Sequence, residues 1–264
     1  MTDLKEFYGE YHDEILEKRL ESPYPMRRAA HEAQYQSILN FVQPNMRILD
    51  AGCGEGALSI MMAKRGASVT GCDISVPNIE RCKTYAREQG VYADFVVADG
   101  ESLPFPDSSF DLVVSSHVLE HLPDFDQGLR EVMRVTKKRA VVAIPTVLNL
   151  CSLVQVGHGW FYLKGVRSFT ALPYGFVRML FALVTGRDGV DEEYAGKGVP
   201  HVFRFPSVLR RKALRSGLTV VHQEASTVCL PFFETLLPLT RFFDRYKSTA
   251  LKSFGYGTTY VIEK

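Results

Sequence analysis

From Arg47 onward, short apolar runs alternate with segments whose apolar residues recur at helical spacing. The runs predict strands at 47–51, 68–73, 93–98, 110–115 and 139–144, and the periodic segments predict helices at 57–65, 76–89 and 125–136. Strand and helix in strict alternation imply a parallel sheet with right-handed crossovers. Two more strands follow late in the chain, at 219–225 after a basic helix 207–216 that stops at Gly217, and at 258–263. Ahead of the first strand, Leu4, Phe7, Tyr8, Tyr11, Ile15 and Leu16 outline an amphipathic helix over 3–20, which Ser22-Pro23-Tyr24-Pro25 breaks. A second helix is expected over 26–42, with Ala30, Ala33, Ile38, Leu39 and Val42 inward and its end set by Pro44.

Two stretches fall outside this alternation. Val147 to Val199 contains Trp160-Phe161-Tyr162-Leu163 and the run Phe176 to Val184, and from 147 to 187 it carries Lys164, Arg167, Arg178 and Arg187 but no acid. Cys229 to Tyr256 holds Phe232-Phe233, Leu236-Leu237, Phe242-Phe243 and Tyr246. Neither reaches the roughly 18 uninterrupted apolar residues that a membrane span needs.

The candidate chemistry starts at the first strand. Arg47-Ile48-Leu49-Asp50 ends on a carboxylate, and Gly52, Gly54 and Gly56 then occupy alternate positions before the helix that opens at Ala57. Glycine allows positive φ and close backbone approach, and the N–H groups at the helix start present positive partial charge, so this is a nucleotide-cradling turn. Asp73 closes the second strand about 20 residues on, the spacing of a carboxylate that grips ribose hydroxyls. Gly52, Gly54 and Ala57 also satisfy the dinucleotide pattern G-x-G-x-x-G/A, so the turn by itself leaves a dehydrogenase and a nucleoside-sulfonium enzyme both open.

Composition narrows the field. Thirty-one basic and 30 acidic residues nearly cancel, which gives no electrostatic footprint for nucleic acid. The five cysteines are scattered without a C-x-x-C pair, so neither a disulfide framework nor a zinc site is indicated, and a reducing cytoplasm is expected. The charged start Met1-Thr2-Asp3-Leu4-Lys5-Glu6 has no secretory pattern.

Downstream, Asp94-Phe95-Val96-Val97-Ala98-Asp99-Gly100, then Leu103-Pro104-Phe105-Pro106-Asp107-Ser108-Ser109-Phe110-Asp111, then Leu119-Glu120-His121-Leu122 follow in order. With Asp50 to Gly56, the block from Ile48 to Pro145 resembles the class I S-adenosylmethionine (SAM)-dependent methyltransferases, in the branch with a D-x-G-C-G-x-G first motif. The resemblance implies an α/β, Rossmann-like, mostly parallel seven-stranded sheet of order 3-2-1-4-5-7-6 with the last strand antiparallel and helices on both faces. It divides the chain into a helical cover (1–45), a SAM-binding core (46–146), a helical lid insertion (147–199) and a C-terminal part of the core (200–264) with a second apolar insertion at 229–256. It also implies SAM as cofactor and S-adenosylhomocysteine as product. By resemblance Asp50 and the loop Gly52, Gly54, Gly56 hold the methionine moiety, Asp73 the ribose, Ile74 an adenine face, Asp99 and Gly100 the adenine edge, and Ser115 and His117 line the sulfonium. Segments before the first strand often fold over the cofactor in this family, which makes Tyr8, Tyr11, Arg28, His31 and Tyr35 candidates for contact.

Methyl transfer is an in-line displacement that needs positioning and, for many oxygen or nitrogen acceptors, a base near neutral pH. His201 and His117 are the catalytic candidates. His201 stands in Pro200-His201-Val202-Phe203-Arg204-Phe205, close to the family's E-H-x-R-x-F/Y segment but with Pro200 in place of the acid and one extra residue before Arg204. His158 is an outside candidate, and His121 in the Leu-Glu-His-Leu pattern is read as structural. Ser115-Ser116-His117-Val118 lacks the signature of enzymes that methylate base or glutamine amides, and no clustered Asp/Asn set marks a magnesium-bound catechol, so transfer without a metal is expected. The aromatic insertions, with the acid-free basic stretch, suggest an apolar or lipid-linked small-molecule acceptor methylated on oxygen or carbon, with peripheral membrane contact. The competing readings are a soluble sugar or secondary-metabolite acceptor, with the insertions serving as lid or dimer interface of a monomer or homodimer, and a SAM-binding protein without turnover.

Overall fold

The computed structural model describes residues 7–8, 22–157, 167–192, 200–228 and 234–264. The expected helix at 3–20 falls almost wholly outside them, as do Tyr11, His158, Trp160-Phe161-Tyr162-Leu163 and Phe232-Phe233.

Strands β1 (Arg47–Ala51), β2 (Ser68–Asp73), β3 (Asp94–Val97), β4 (Phe110–Ser116) and β5 (Thr136–Pro145) run parallel, and β9 (Gly257–Glu263) lies antiparallel between β5 and β8 (Thr219–Ala225). The sheet order is β3-β2-β1-β4-β5-β9-β8, the arrangement expected from the sequence with its last two strands renumbered. They are renumbered because two short strands precede them: β6 (Gly189–Asp191) pairs antiparallel with β7 (Val202–Arg204) in a separate ribbon. That ribbon was not expected, since three residues are too few to show a period.

Crossover helices α2 (Ala57–Lys64), α3 (Val76–Glu88) and α4 (Phe125–Val135) match their expected places within a residue or so. α4 shows why: the Asp124 carboxylate accepts the Gln127 backbone N–H as an N-cap, and Phe125, Leu129, Val132 and Met133 share a buried face on the sheet. On the opposite face, Ile48, Leu58, Met62, Val69, Val114 and Val261 pack with Ile38 and Leu39 of α1 (Pro25–Leu39). α1 stops at Asn40 and not at 42, because the Phe41 and Val42 N–H groups bond back only three residues, to the Ile38 and Leu39 carbonyls, and tighten the last turn. β5 begins three residues earlier than expected, at Thr136, where a register shift between Phe110 and Leu112 lets Phe110 pair with it.

The 147–199 insertion contains α5 (Leu150–Val156) and α6 (Arg167–Val184), which meet at two glycines. A Cβ at Gly157 would sit 1.9 Å from the Ala171 carbonyl oxygen, and one at Gly175 would sit 1.8 Å from that of Leu153, so only glycine permits this approach. Ala171, Gly175 and Ala182 form the buried side of α6. The other side exposes Tyr174, Phe176, Val177, Leu180, Phe181, Leu183 and Val184. α7 (Pro206–Arg215) lies between β7 and β8, and α8 (Leu237–Phe243) lies between β8 and β9. No helix of the described residues is long and apolar enough to cross a membrane.

Candidate functional site

The glycine turn leaves β1 at the carboxyl edge of the sheet, where ligands of open α/β sheets bind. The N–H groups of Gly52 and Cys53 both donate to the Cys72 carbonyl at 2.8 Å, which anchors the turn to β2. All three glycines have positive φ, of +84° at Gly52, +54° at Gly54 and +84° at Gly56. Their surroundings differ. A Cβ at Gly52 would lie 2.2 Å from Val118 Cγ2 and one at Gly56 would lie 3.0 Å from Cys82 Sγ, while a Cβ at Gly54 would meet nothing within 4 Å. The loop is packed from behind and open above its middle glycine, which fits an approaching ligand.

Two carboxylates frame that opening. Asp73 Oδ2 accepts the Gly54 N–H at 2.9 Å and Oδ1 accepts the Ser75 N–H at 2.9 Å, so one side chain fixes the loop and the start of α3. Burial raises its pKa, with those two backbone bonds opposing the rise. Asp50 is wholly buried and accepts the Ser59 hydroxyl at 2.6 Å. Burial pushes its pKa up to about 6, against the Ser59 bond and aided by the charge of Asp73. Ile74 is half-buried at the end of β2. Asp99 Oδ1 accepts the Glu101 N–H at 2.9 Å and so caps its own turn, and Gly100 lies in ordinary contact with the Leu122 methyls.

At the end of β4, Ser115 is buried and its Oγ has no hydrogen-bond partner among the described residues. His117 holds φ +56°, a conformation that costs a non-glycine residue about 1–3 kcal/mol and clusters at functional sites. Its N–H donates to the Ala143 carbonyl at 2.8 Å, and its Nδ1 lies 3.1 Å from Glu120 Oε1. Glu120 is fully buried in the short 3-10 turn Leu119–His121.

His201 and His121, 80 residues apart, stack with ring centroids 4.7 Å apart and planes 9° from parallel. His121 was expected to be structural, whereas it shares this cluster with the preferred base. Its Nδ1 lies 3.1 Å from the Pro200 carbonyl, and burial lowers its pKa to about 4, so the ring is neutral at neutral pH. Burial acts to raise the Glu120 pKa, yet the carboxyl is held at about 2 by its contact with His117 and the field of the surrounding histidines. Tyr8 reaches the same region: its carbonyl accepts the Ser75 hydroxyl at 2.8 Å and its ring lies 6.0 Å from His121. Of the other N-terminal candidates, Tyr35 is buried in the core beside α2, and Arg28 donates to the Ser22 carbonyl. Sequence reasoning missed Glu120 and Glu192. The i, i+3 spacing of His117 and Glu120 could have flagged the first, but nothing local points to the second.

Asp50 and His121 give the site opposite responses to acid. His121, with its pKa lowered in the fold, withdraws stability as pH falls from about 6.5 to about 4, because the unfolded chain binds the proton first. Asp50, with its pKa raised, adds stability as pH falls from about 6 to 3.8, because there the folded chain binds it first. Over its full window each effect is worth roughly 3 kcal/mol. Asp50→Asn is therefore expected to lose stability more steeply than the wild type between pH 6 and 4 in urea unfolding. Parallel slopes would contradict the assignment.

The fold defines a Rossmann-like SAM-binding α/β domain. Residues 49–144 match a family model described as a methyltransferase domain. A ubiquinone biosynthesis O-methyltransferase of Chelativorans sp. (strain BNC1) is 36% identical over 102 residues, which are 39% of this chain and 40% of that protein. The chain thus spans about two fifths of the length of that curated relative. A malonyl-[acyl-carrier protein] O-methyltransferase of Serratia marcescens is 33% identical over 181 residues, 68% of this chain and 67% of that protein. Among solved structures, a SAM-dependent methyltransferase of Methanosarcina mazei superposes with a TM-score of 0.57 at 24% identity, covering 86% of this chain and 96% of that one. The chain belongs to the class I SAM-dependent methyltransferases.

Proposed function

We propose that the protein transfers the methyl group of SAM to an oxygen or carbon of an apolar or lipid-linked small molecule. The observation that carries the acceptor class is an apolar cavity of about 360 Å³ lined by Leu148, Leu153, Met179, Val228, Phe243 and Phe254. Leu148 follows β5 and Val228 follows β8, so the cavity opens at the ligand-binding edge of the sheet, and its volume falls in the range of small-molecule sites. The exposed apolar side of α6 adds a surface suited to a lipid headgroup boundary.

Bound SAM supplies an electrophilic methyl on a sulfonium. In this reading Asp50 and the Gly52–Gly56 loop hold the methionine end, Asp73 accepts from the ribose hydroxyls, Ile74 covers an adenine face, and Asp99 with the Gly100 backbone reads the adenine edge. Ser115 and His117 line the reacting end. His201 takes an acceptor proton in this reading, supported by the Glu192 carboxylate 3.1 Å from its Nδ1. In this reading α1, α5 and α6 help exclude water above the site, and Phe243, Leu251 and Phe254 of the second insertion form part of the cavity wall.

The test is incubation with methyl-labelled SAM and a cell extract, followed by partition between organic and aqueous phases. Protein-dependent label in the organic phase is expected. Label confined to aqueous metabolites would replace the apolar acceptor with a soluble one, and no label in either phase would leave a SAM-binding protein without turnover.

A further inference from the structure

The turn after β4 and the lead into β7 bring three side chains to one point. Glu120, His121 and His201 each place a ligand-type atom within 4.8 Å of the others. All three are oriented from behind. The Pro200 carbonyl can only accept, so His121 Nδ1 carries the proton and the lone pair sits on Nε2. His201 Nδ1 faces Glu192 Oε2 at 3.1 Å, the imidazole–carboxylate pairing that makes the other ring nitrogen more basic. His117 Nδ1 flanks Glu120 Oε1 at 3.1 Å, yet neither Glu120 oxygen accepts a well-formed hydrogen bond from the described residues. A buried carboxylate left in that state calls for a cation.

A carbonyl behind one imidazole and a carboxylate behind another is the outer shell typical of metal-binding histidines. We propose that Glu120, His121 and His201 form a binding site for a divalent transition-metal ion of the zinc class, with one coordination position left open. Two imidazoles and one carboxylate form the donor set of open zinc sites, while magnesium and calcium favour all-oxygen sets. Donors on a tetrahedral zinc lie about 3.3 Å apart, so the side chains need to close by roughly an ångström and the two stacked rings need to pivot. The Arg204 guanidinium, packed 4.0 Å over the Phe125 ring, opposes a cation, and the Glu120 carboxylate together with Asp188, Asp126 and Asp191 offsets its charge. The site departs from the metal-free transfer expected from the sequence, and a bound ion would use the His201 lone pair that the proposed proton removal requires, so His201 serves one role or the other.

Chelator-stripped protein titrated with Zn²⁺ by calorimetry is expected to bind one ion per chain. Co²⁺ should give visible d–d bands without the near-ultraviolet thiolate band that a cysteine ligand would produce. His121→Ala and His201→Ala should each weaken Zn²⁺ binding on the order of 100-fold, and Glu192→Gln roughly 10- to 100-fold, with circular dichroism to show that each variant folds. No Zn²⁺ uptake, a thiolate band, or wild-type affinity in both histidine variants would overturn the site. SAM affinity measured on the same samples separates the two readings: SAM binding without Zn²⁺ binding removes only the metal site, and Zn²⁺ binding without SAM binding removes only the proposed transfer.

Discussion

Asp73→Ala is expected to weaken SAM binding roughly 10- to 150-fold, with the fold retained. A hydrogen bond to a charged group contributes about 1.5–3 kcal/mol, and each 1.4 kcal/mol is tenfold in affinity. The loss has two sources. The carboxylate proposed to accept from the ribose is gone, and the Gly54 and Ser75 N–H groups lose the acceptor that now holds each at 2.9 Å. Asp73→Asn separates them, because its amide oxygen can still accept one N–H while the charge is removed. Calorimetric titration with SAM reads both variants, and unchanged affinity in Asp73→Ala would withdraw the ribose assignment.

Gly52→Val and Gly54→Ala should fail in different ways. At Gly52 the added Cβ meets Val118 Cγ2 at 2.2 Å while φ stays at +84°. Left-handed backbone costs about 1–2 kcal/mol in an L-residue and overpacking about 1–3 kcal/mol, so a total of roughly 2–5 kcal/mol is expected. At about 2–4 °C per kcal/mol in a chain of this size, the melting temperature should fall by roughly 4–20 °C. At Gly54 the added methyl meets nothing within 4 Å, so only the backbone cost remains and the variant should fold. Its methyl would occupy the space above the loop, and SAM binding should be lost. A Gly54→Ala variant that binds SAM like the wild type would show that the ligand does not approach the loop there, whereas equal melting temperatures for Gly52→Val and wild type would contradict the packing against Val118.

What could be read from the chain alone was whatever depends on near neighbours. The strands of the main sheet follow from apolar runs, and α4 follows from the Asp124 cap and a repeating buried face. The glycine turn and its two carboxylates follow because Asp50, Gly52, Gly54, Gly56 and Asp73 lie within one βαβ unit, whose geometry is nearly invariant. Tertiary structure alone decided the histidine cluster. His121 and His201 meet because the backbone of Arg204 in β7 bridges to Thr146 at the end of β5, and because the Pro200 carbonyl reaches His121. Such contacts depend on how a 50-residue insertion closes, and a chain's local periodicity carries no information about loop closure over that distance. The same holds for Gly157 and Gly175, whose need to be glycine arises only where α5 and α6 cross.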